Sequence, residues 1–286
     1  MSIKDEYVRF KLDKKLDPGL FEHRVRLQDF LKERLEAIWA EGPQFTHGGL
    51  VKNRMTGFAI GFAYYDCRPS AFCRTRCYGL PLAGLFDYNM LRLAVLTSES
   101  LKTGDQRFLK PLAERLQGME NVKIGHWGDA VPEQVSVMAK LVADNPCTTF
   151  WWYTRKKEIA LQANRCDLPN LRAYLSLDPT TEFPSFSEYP FCITYFVADG
   201  QCHAEHARIL EDPRLVAVFL RKKGASIEDP RLYGVESHPK LYLEKKLRAQ
   251  GKDKDTVCLS CAGRCRFQRA KLRKVEADEN SRPQAR

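Results

Sequence analysis

Val122-Lys123-Ile124-Gly125-His126-Trp127-Gly128-Asp129-Ala130-Val131-Pro132 is the stretch that decides the fold class. An apolar run of strand length ends in a Gly-Asp loop. Pro132 then opens a helix whose apolar face is Val135, Met138, Ala139, Leu141 and Val142. Thr148-Thr149-Phe150-Trp151-Trp152-Tyr153 follows, β-branched and aromatic, and reads as the next strand. Strand, helix and strand at this spacing make a βαβ unit.

The same rhythm extends in both directions. Upstream lie a strand run, Phe58 to Tyr64, and helices at Phe86 to Ser98 and Asp105 to Gln117. Downstream come a helix from Lys157 to Asn164, a strand from Leu171 to Leu177, and strand runs at Phe191 to Val197 and Leu215 to Leu220. A helix-like His203 to Leu210 separates the last two. About six strands alternating with helices imply a parallel α/β sheet. Periodicity alone leaves an open doubly wound sheet and a partial barrel equally available. In both, a site belongs at the C-terminal ends of the strands.

Residues 1–45 read as an N-terminal helical extension, built on one amphipathic helix over 19–40 that Glu41-Gly42-Pro43 ends. Residues 46–240 carry the α/β body. Residues 241–286 form a basic, Cys-rich segment with thirteen Lys/Arg against six Asp/Glu, which is +7 of the chain's +10. Its end, Glu276 to Arg286, is polar and reads as frayed. The hydrophobic fraction of 44% and charged fraction of 29% over 286 residues are those of a soluble globular protein. No apolar run reaches the ~18–20 residues of a membrane span. The polar start, Met1-Ser2-Ile3-Lys4-Asp5-Glu6, is not that of a signal peptide. The expectation is a cytoplasmic protein with no membrane partner.

Ten cysteines carry the functional signal. Cys67, Cys73 and Cys77 form a C-x5-C-x3-C group directly after the first strand of the body, with Tyr78 behind it. Three thiolates on one loop can hold three irons of a [4Fe-4S] cluster and leave the fourth open. Zinc would need a fourth ligand, such as His126. Arg68, Arg74 and Arg76 interleave with the thiols, where charge would tune a cluster, or else they are surface arginines. A second group, Cys258, Cys261 and Cys265, is C-x2-C-x3-C, with Cys202 or Cys192 as its fourth ligand and His203 and His206 as nitrogen alternatives. It suits either a second iron–sulfur cluster or a structural zinc, and in both cases would help fold a segment that lacks its own core.

Polar residues at the strand ends supply the remaining candidates. Gly128 allows close backbone approach to a ligand, and Asp129 either accepts from an ammonium or hydroxyl or caps the helix at Pro132. His126 faces the site or the core. Arg155 is a clamp for a carboxylate or phosphate, or a solvated helix start. Ser176 and Asp178 end the fourth strand at the same mouth.

Taken in order, Cys67…Cys73…Cys77-Tyr78, Ile124-Gly125-His126-Trp127-Gly128-Asp129, Phe150-Trp151-Trp152-Tyr153-Thr154, Leu175-Ser176-Leu177-Asp178 and the C-terminal C-x2-C-x3-C resemble a phage and mobile-element family named after gene product eighty-eight. That family resembles the radical S-adenosylmethionine (SAM) enzymes. The resemblance implies a partial (β/α)6 TIM-type barrel with an N-terminal helix and a Cys-rich C-terminal segment. It implies an iron–sulfur enzyme in which Cys67, Cys73 and Cys77 hold the open cluster. Gly128, Asp129, Tyr78 and Arg155 would bind SAM, and Asp129, His126, Ser176 and Asp178 would serve the reaction. An external electron donor and a small-molecule substrate would be partners. The spacing departs from the usual C-x3-C-x2-C, and Arg76 stands where an aromatic is usual. The competing expectation is a zinc-stapled protein, without catalysis, that grips nucleic acid through its basic segment.

Overall fold

In a computed structural model, residues 1–45, 47–53, 57–77, 83–197, 209 and 212–220 are described. Three helices come first: α1 (Ile3–Asp13), α2 (Phe21–Lys32) and α3 (Leu35–Ala40). A short antiparallel pair follows, β1 (Val51–Asn53) with β2 (Gly57–Ile60). After a 3-10 turn at Tyr64–Asp66 come α4 (Ala71–Arg76), α5 (Ala83–Thr103) and α6 (Gln106–Leu116). The chain then alternates through β3 (Asn121–Ile124), α7 (Pro132–Ala143), β4 (Thr149–Thr154), α8 (Lys157–Arg165) and β5 (Leu171–Leu177), and on to β6 (Ile193–Val197) and β7 (Leu215–Leu220).

The sheet runs β1 to β7 in sequence order, and β2 through β7 are parallel. The described strands show no reversal of order. Right-handed crossovers between successive neighbours put the connecting helices on one face. The packing agrees: Leu91 and Val95 of α5, Phe108 of α6, Val135 and Met138 of α7 and Ile159 of α8 share a core with Ile60, Val122, Ile124, Phe150 and Trp152. The period-2 pleat turns alternate residues away from that core. Lys123, Trp151 and Arg172 make one row on the other face, and Tyr153 and Tyr174 stack at 5.2 Å in the next.

The N-terminal helices belong to the same core. Ile3, Tyr7, Leu27, Leu31 and Ile38 pack with the sheet residues. The helix expected over 19–40 is two helices, because the chain turns at Glu33–Arg34 while apolar residues on both sides still reach that core. Sequence reading missed α1, although Ser2 and Asp5 form a capping box at its start. On α2, the fully buried Arg24 donates to Pro18 O at 2.6 Å and to Tyr64 Oη at 2.7 Å, and Gln28 Oε1 accepts the Tyr64 amide. These bonds fix the turn that delivers Cys67. Ile209 aside, the helix expected at His203 to Leu210 lies outside the described residues, as do the 241–286 segment, Tyr78, Cys202, His203, His206, Cys258, Cys261 and Cys265.

Candidate functional site

The site lies at the C-terminal ends of β2 to β5. Cys67 leaves the 3-10 turn after β2, Cys73 sits on α4, and Cys77 follows that helix. Cys73 and Cys77 share a sulfur hydrogen bond; charge on Cys77 would be felt by Cys67, and charge on Cys67 by Cys73. Burial, then Asp129 and Cys77, pushes the Cys67 thiol up, against Lys156 and Arg155. The Cys77 bond, then burial, pushes the Cys73 thiol up, against Arg155. Without a metal these are protonated thiols, and loading one would release protons. Among the described residues, no three His, Cys, Asp or Glu side chains stand close enough to grip a single metal ion.

The cations that approach the thiols come from the end of β4. Sequence reading put charge tuning on the loop's own arginines. Arg68 and Arg74 are exposed, and Arg74 pairs with Glu22 at 3.5 Å across a solvated gap. Lys156 is buried, and its Nζ donates to Asp66 O and Ala130 O, each at 2.6 Å. One signal was available: Arg155-Lys156 ends a strand whose neighbours also end in site residues.

Asp129 is buried after β3. Its Oδ1 accepts from Ala130 N at 2.9 Å and Thr154 Oγ1 at 2.7 Å, and its Oδ2 accepts from Arg155 N at 2.9 Å. Burial pushes its carboxyl up, against those donors and the Lys156 ammonium. It does not cap α7: Gln134 Oε1 instead accepts the Val131 amide at 2.9 Å. Asp129 ties β3 to β4. Gly128 has φ +66°, and a Cβ there would lie 2.2 Å from Phe62 O. The close approach of the Phe62 backbone is itself enough to require glycine at this position.

His126 takes the core-facing of the two positions expected for it. It is buried with its ring against Trp127, 4.7 Å between centroids. Burial, with Lys123 nearby, lowers its pKa to about 3, so it is neutral at pH 7. Lys123, rather than a thiol, is the charged group acting on it. Cys192 is buried with Trp151 and Tyr174 on the sheet face turned away from the helices. Ser176 is buried on β5 beside Thr194 of β6, one step below the mouth. Thr194 Oγ1 is buried with no hydrogen-bond partner among the described residues.

Asp178, after β5, binds Ser70 Oγ and Arg155 Nη1 through Oδ2, and the Thr180 amide and hydroxyl, both at 2.9 Å, through Oδ1. Burial alone would raise its carboxyl. Arg155, Ser70 and Thr180 outweigh burial and hold it below the ordinary carboxylate value. The Arg155 guanidinium also lies over the Phe196 ring at 5.6 Å. It is thus committed to protein groups on two sides. The structure therefore brings Cys67, Cys73, Cys77, Asp129, Arg155 and Asp178 to one mouth, adds Lys156, and leaves His126 and Cys192 in packed surroundings.

The chain is similar to the Gene 88 protein of Mycobacterium phage L5, at 31% identity over 132 residues that cover 42% of this chain and 54% of the relative. The chain thus spans about half the length of that relative. No protein-family model and no solved structure matches it. The similarity agrees with the phage gene-product resemblance read from the motifs. Among the described residues no helix is long and apolar enough to cross a membrane.

Proposed function

We propose that this chain is an iron–sulfur enzyme of radical-SAM-like type, with a partial (β/α)6 barrel. The sequential parallel order of β2 to β7, with helices on one face, supports the barrel, since a doubly wound sheet reverses its order at a switch point. One observation carries the functional reading: three mutually interacting thiols gather at the C-terminal mouth of that sheet, with the Arg155 and Lys156 cations acting on them.

In this reading Cys67, Cys73 and Cys77 hold a [4Fe-4S] cluster. Bound there, it would offer one-electron chemistry and an open iron for SAM. The residues around it have separable tasks. Arg155 and Lys156 offset thiolate charge. Asp129 fixes the end of β4, from which both cations project. Cys258, Cys261 and Cys265 would hold a second cluster, or a zinc.

The test is oxygen-free reconstitution with iron and sulfide, followed by reductive cleavage of SAM. Wild-type chain should turn brown and cleave SAM, and Cys67→Ala should not. Zinc at both cysteine groups, with binding to nucleic acid that falls steeply with salt, would instead favour the stapled binding protein.

A further inference from the structure

A single buried carboxylate ties the thiol loop to the far side of the site. Asp178 and Ser70 are 108 residues apart in sequence and hydrogen-bonded in space. Two of the donors on Asp178 are themselves acceptors for the first turn of α4. Ser70 Oγ takes the Cys73 amide at 3.0 Å, and Thr180 Oγ1 takes the Phe72 amide at 3.3 Å. A helix leaves its first four N–H groups without internal partners. In α4, which has only six residues, two of them are closed by hydroxyls that Asp178 orients. A hydroxyl that donates to a carboxylate is also the better acceptor, so the bonds reinforce one another. The Phe72 ring meets Phe196 edge-on at 5.7 Å, beneath the same Arg155 that holds Asp178.

We propose that Asp178 is a positioning residue, not a catalytic one: through Ser70 and Thr180 it sets α4, and with it Cys73, in the ligating arrangement before a metal arrives. All of its described bonds run to protein groups, and none of them needs a cofactor. A preset loop spares the ordering cost that a floppy one would pay on loading. The proposal rests on the reading of Cys67, Cys73 and Cys77 as ligands, so its test is made without metal.

The full chain, reduced and stripped by a chelator, is alkylated with N-ethylmaleimide, and the rate at each cysteine is read by peptide mass spectrometry. Asp178→Ala should speed alkylation of Cys73 about tenfold, the size of one charge-assisted hydrogen bond. The exposed Cys147 and Cys166 should keep their rates. Ser70→Ala should act in the same direction, and the double variant should be no faster than Asp178→Ala alone, because both lie on one chain of bonds. A wild-type rate at Cys73 in either single variant would overturn the proposal. So would additive effects, or a rise at all cysteines including the buried Cys192. Should Asp178→Ala fail to fold, Ser70→Ala, which removes one hydroxyl at a half-buried cap position and no charge, decides alone. A wild-type chain that takes up no iron and sulfide would refute the ligand reading and leave the alkylation result standing.

Discussion

The Lys156 ammonium donates to the carbonyl oxygen of Asp66, 2.6 Å away and one residue before Cys67. The same ammonium binds Ala130 O, so one buried cation joins the ends of β2, β3 and β4. Lys156→Met would leave two buried carbonyls without donors. It should cost about 2–4 kcal/mol, seen as a lower midpoint in urea with an unchanged slope. A midpoint within error of wild type would mean that this cation is dispensable.

Gly128 and Gly104 both have positive φ, yet they should answer differently to alanine. Nothing lies within 4 Å of a Cβ at Gly104, so Gly104→Ala should cost only the conformational term, about 1 kcal/mol. At Gly128 the Phe62 backbone fills the space, and Gly128→Ala should cost about 3 kcal/mol or more, with the segment just after β2 displaced. Thermal melts of the two variants check the contrast, and equal losses would contradict it.

His126 gives the fold an acid limit. Its folded pKa of about 3 lies below the ~6.5 of an unfolded histidine. The unfolded chain therefore binds the extra proton between those values. The stability of a neutral, buried His126 is fully present above pH ~6.5 and is lost as pH falls toward 3, by up to about 1.4 kcal/mol per unit. Replacing His126 by Phe should flatten unfolding free energy against pH over that window. An unchanged slope would place the loss in other groups.

Arg155 acts on Cys67 and Cys73 as a cation. In chain loaded with iron and sulfide, Arg155→Gln removes that charge and favours the more oxidised cluster. The midpoint potential should fall on the order of 50 mV, while Arg155→Lys should hold it closer to wild type. An electron paramagnetic resonance titration gives both values. An unmoved potential would assign Arg155 to structure alone.

Much of the sheet was legible in the sequence. The β5 and β7 runs are found over the residues expected, and Pro132 opens α7 as its position implied. Long apolar or β-branched runs state their period strongly. The pieces missed carry a weak apolar signal: β1 has only three residues, and α1 buries only Ile3 and Tyr7. The thiol loop and the strand-end Asp129 and Asp178 could be placed because βαβ order itself sends them to one mouth. Lys156 could not, since its partners are backbone carbonyls contributed by Asp66 and Ala130, which carry no side-chain signature. His126 stays open in the sequence for a related reason: a ring at a Gly-rich strand end can face site or core, and its packing against Trp127 carries no sequence signature.

The central claim is that Cys67, Cys73 and Cys77 hold an open four-iron cluster. It is tested most directly by iron and acid-labile sulfide analysis, with Mössbauer spectra, of oxygen-free chain in which Cys258, Cys261 and Cys265 are all serine. About four irons and four sulfides per chain, lost when Cys67 is also replaced by alanine, is the predicted result. Zinc in place of iron, or an iron content indifferent to Cys67, would contradict it.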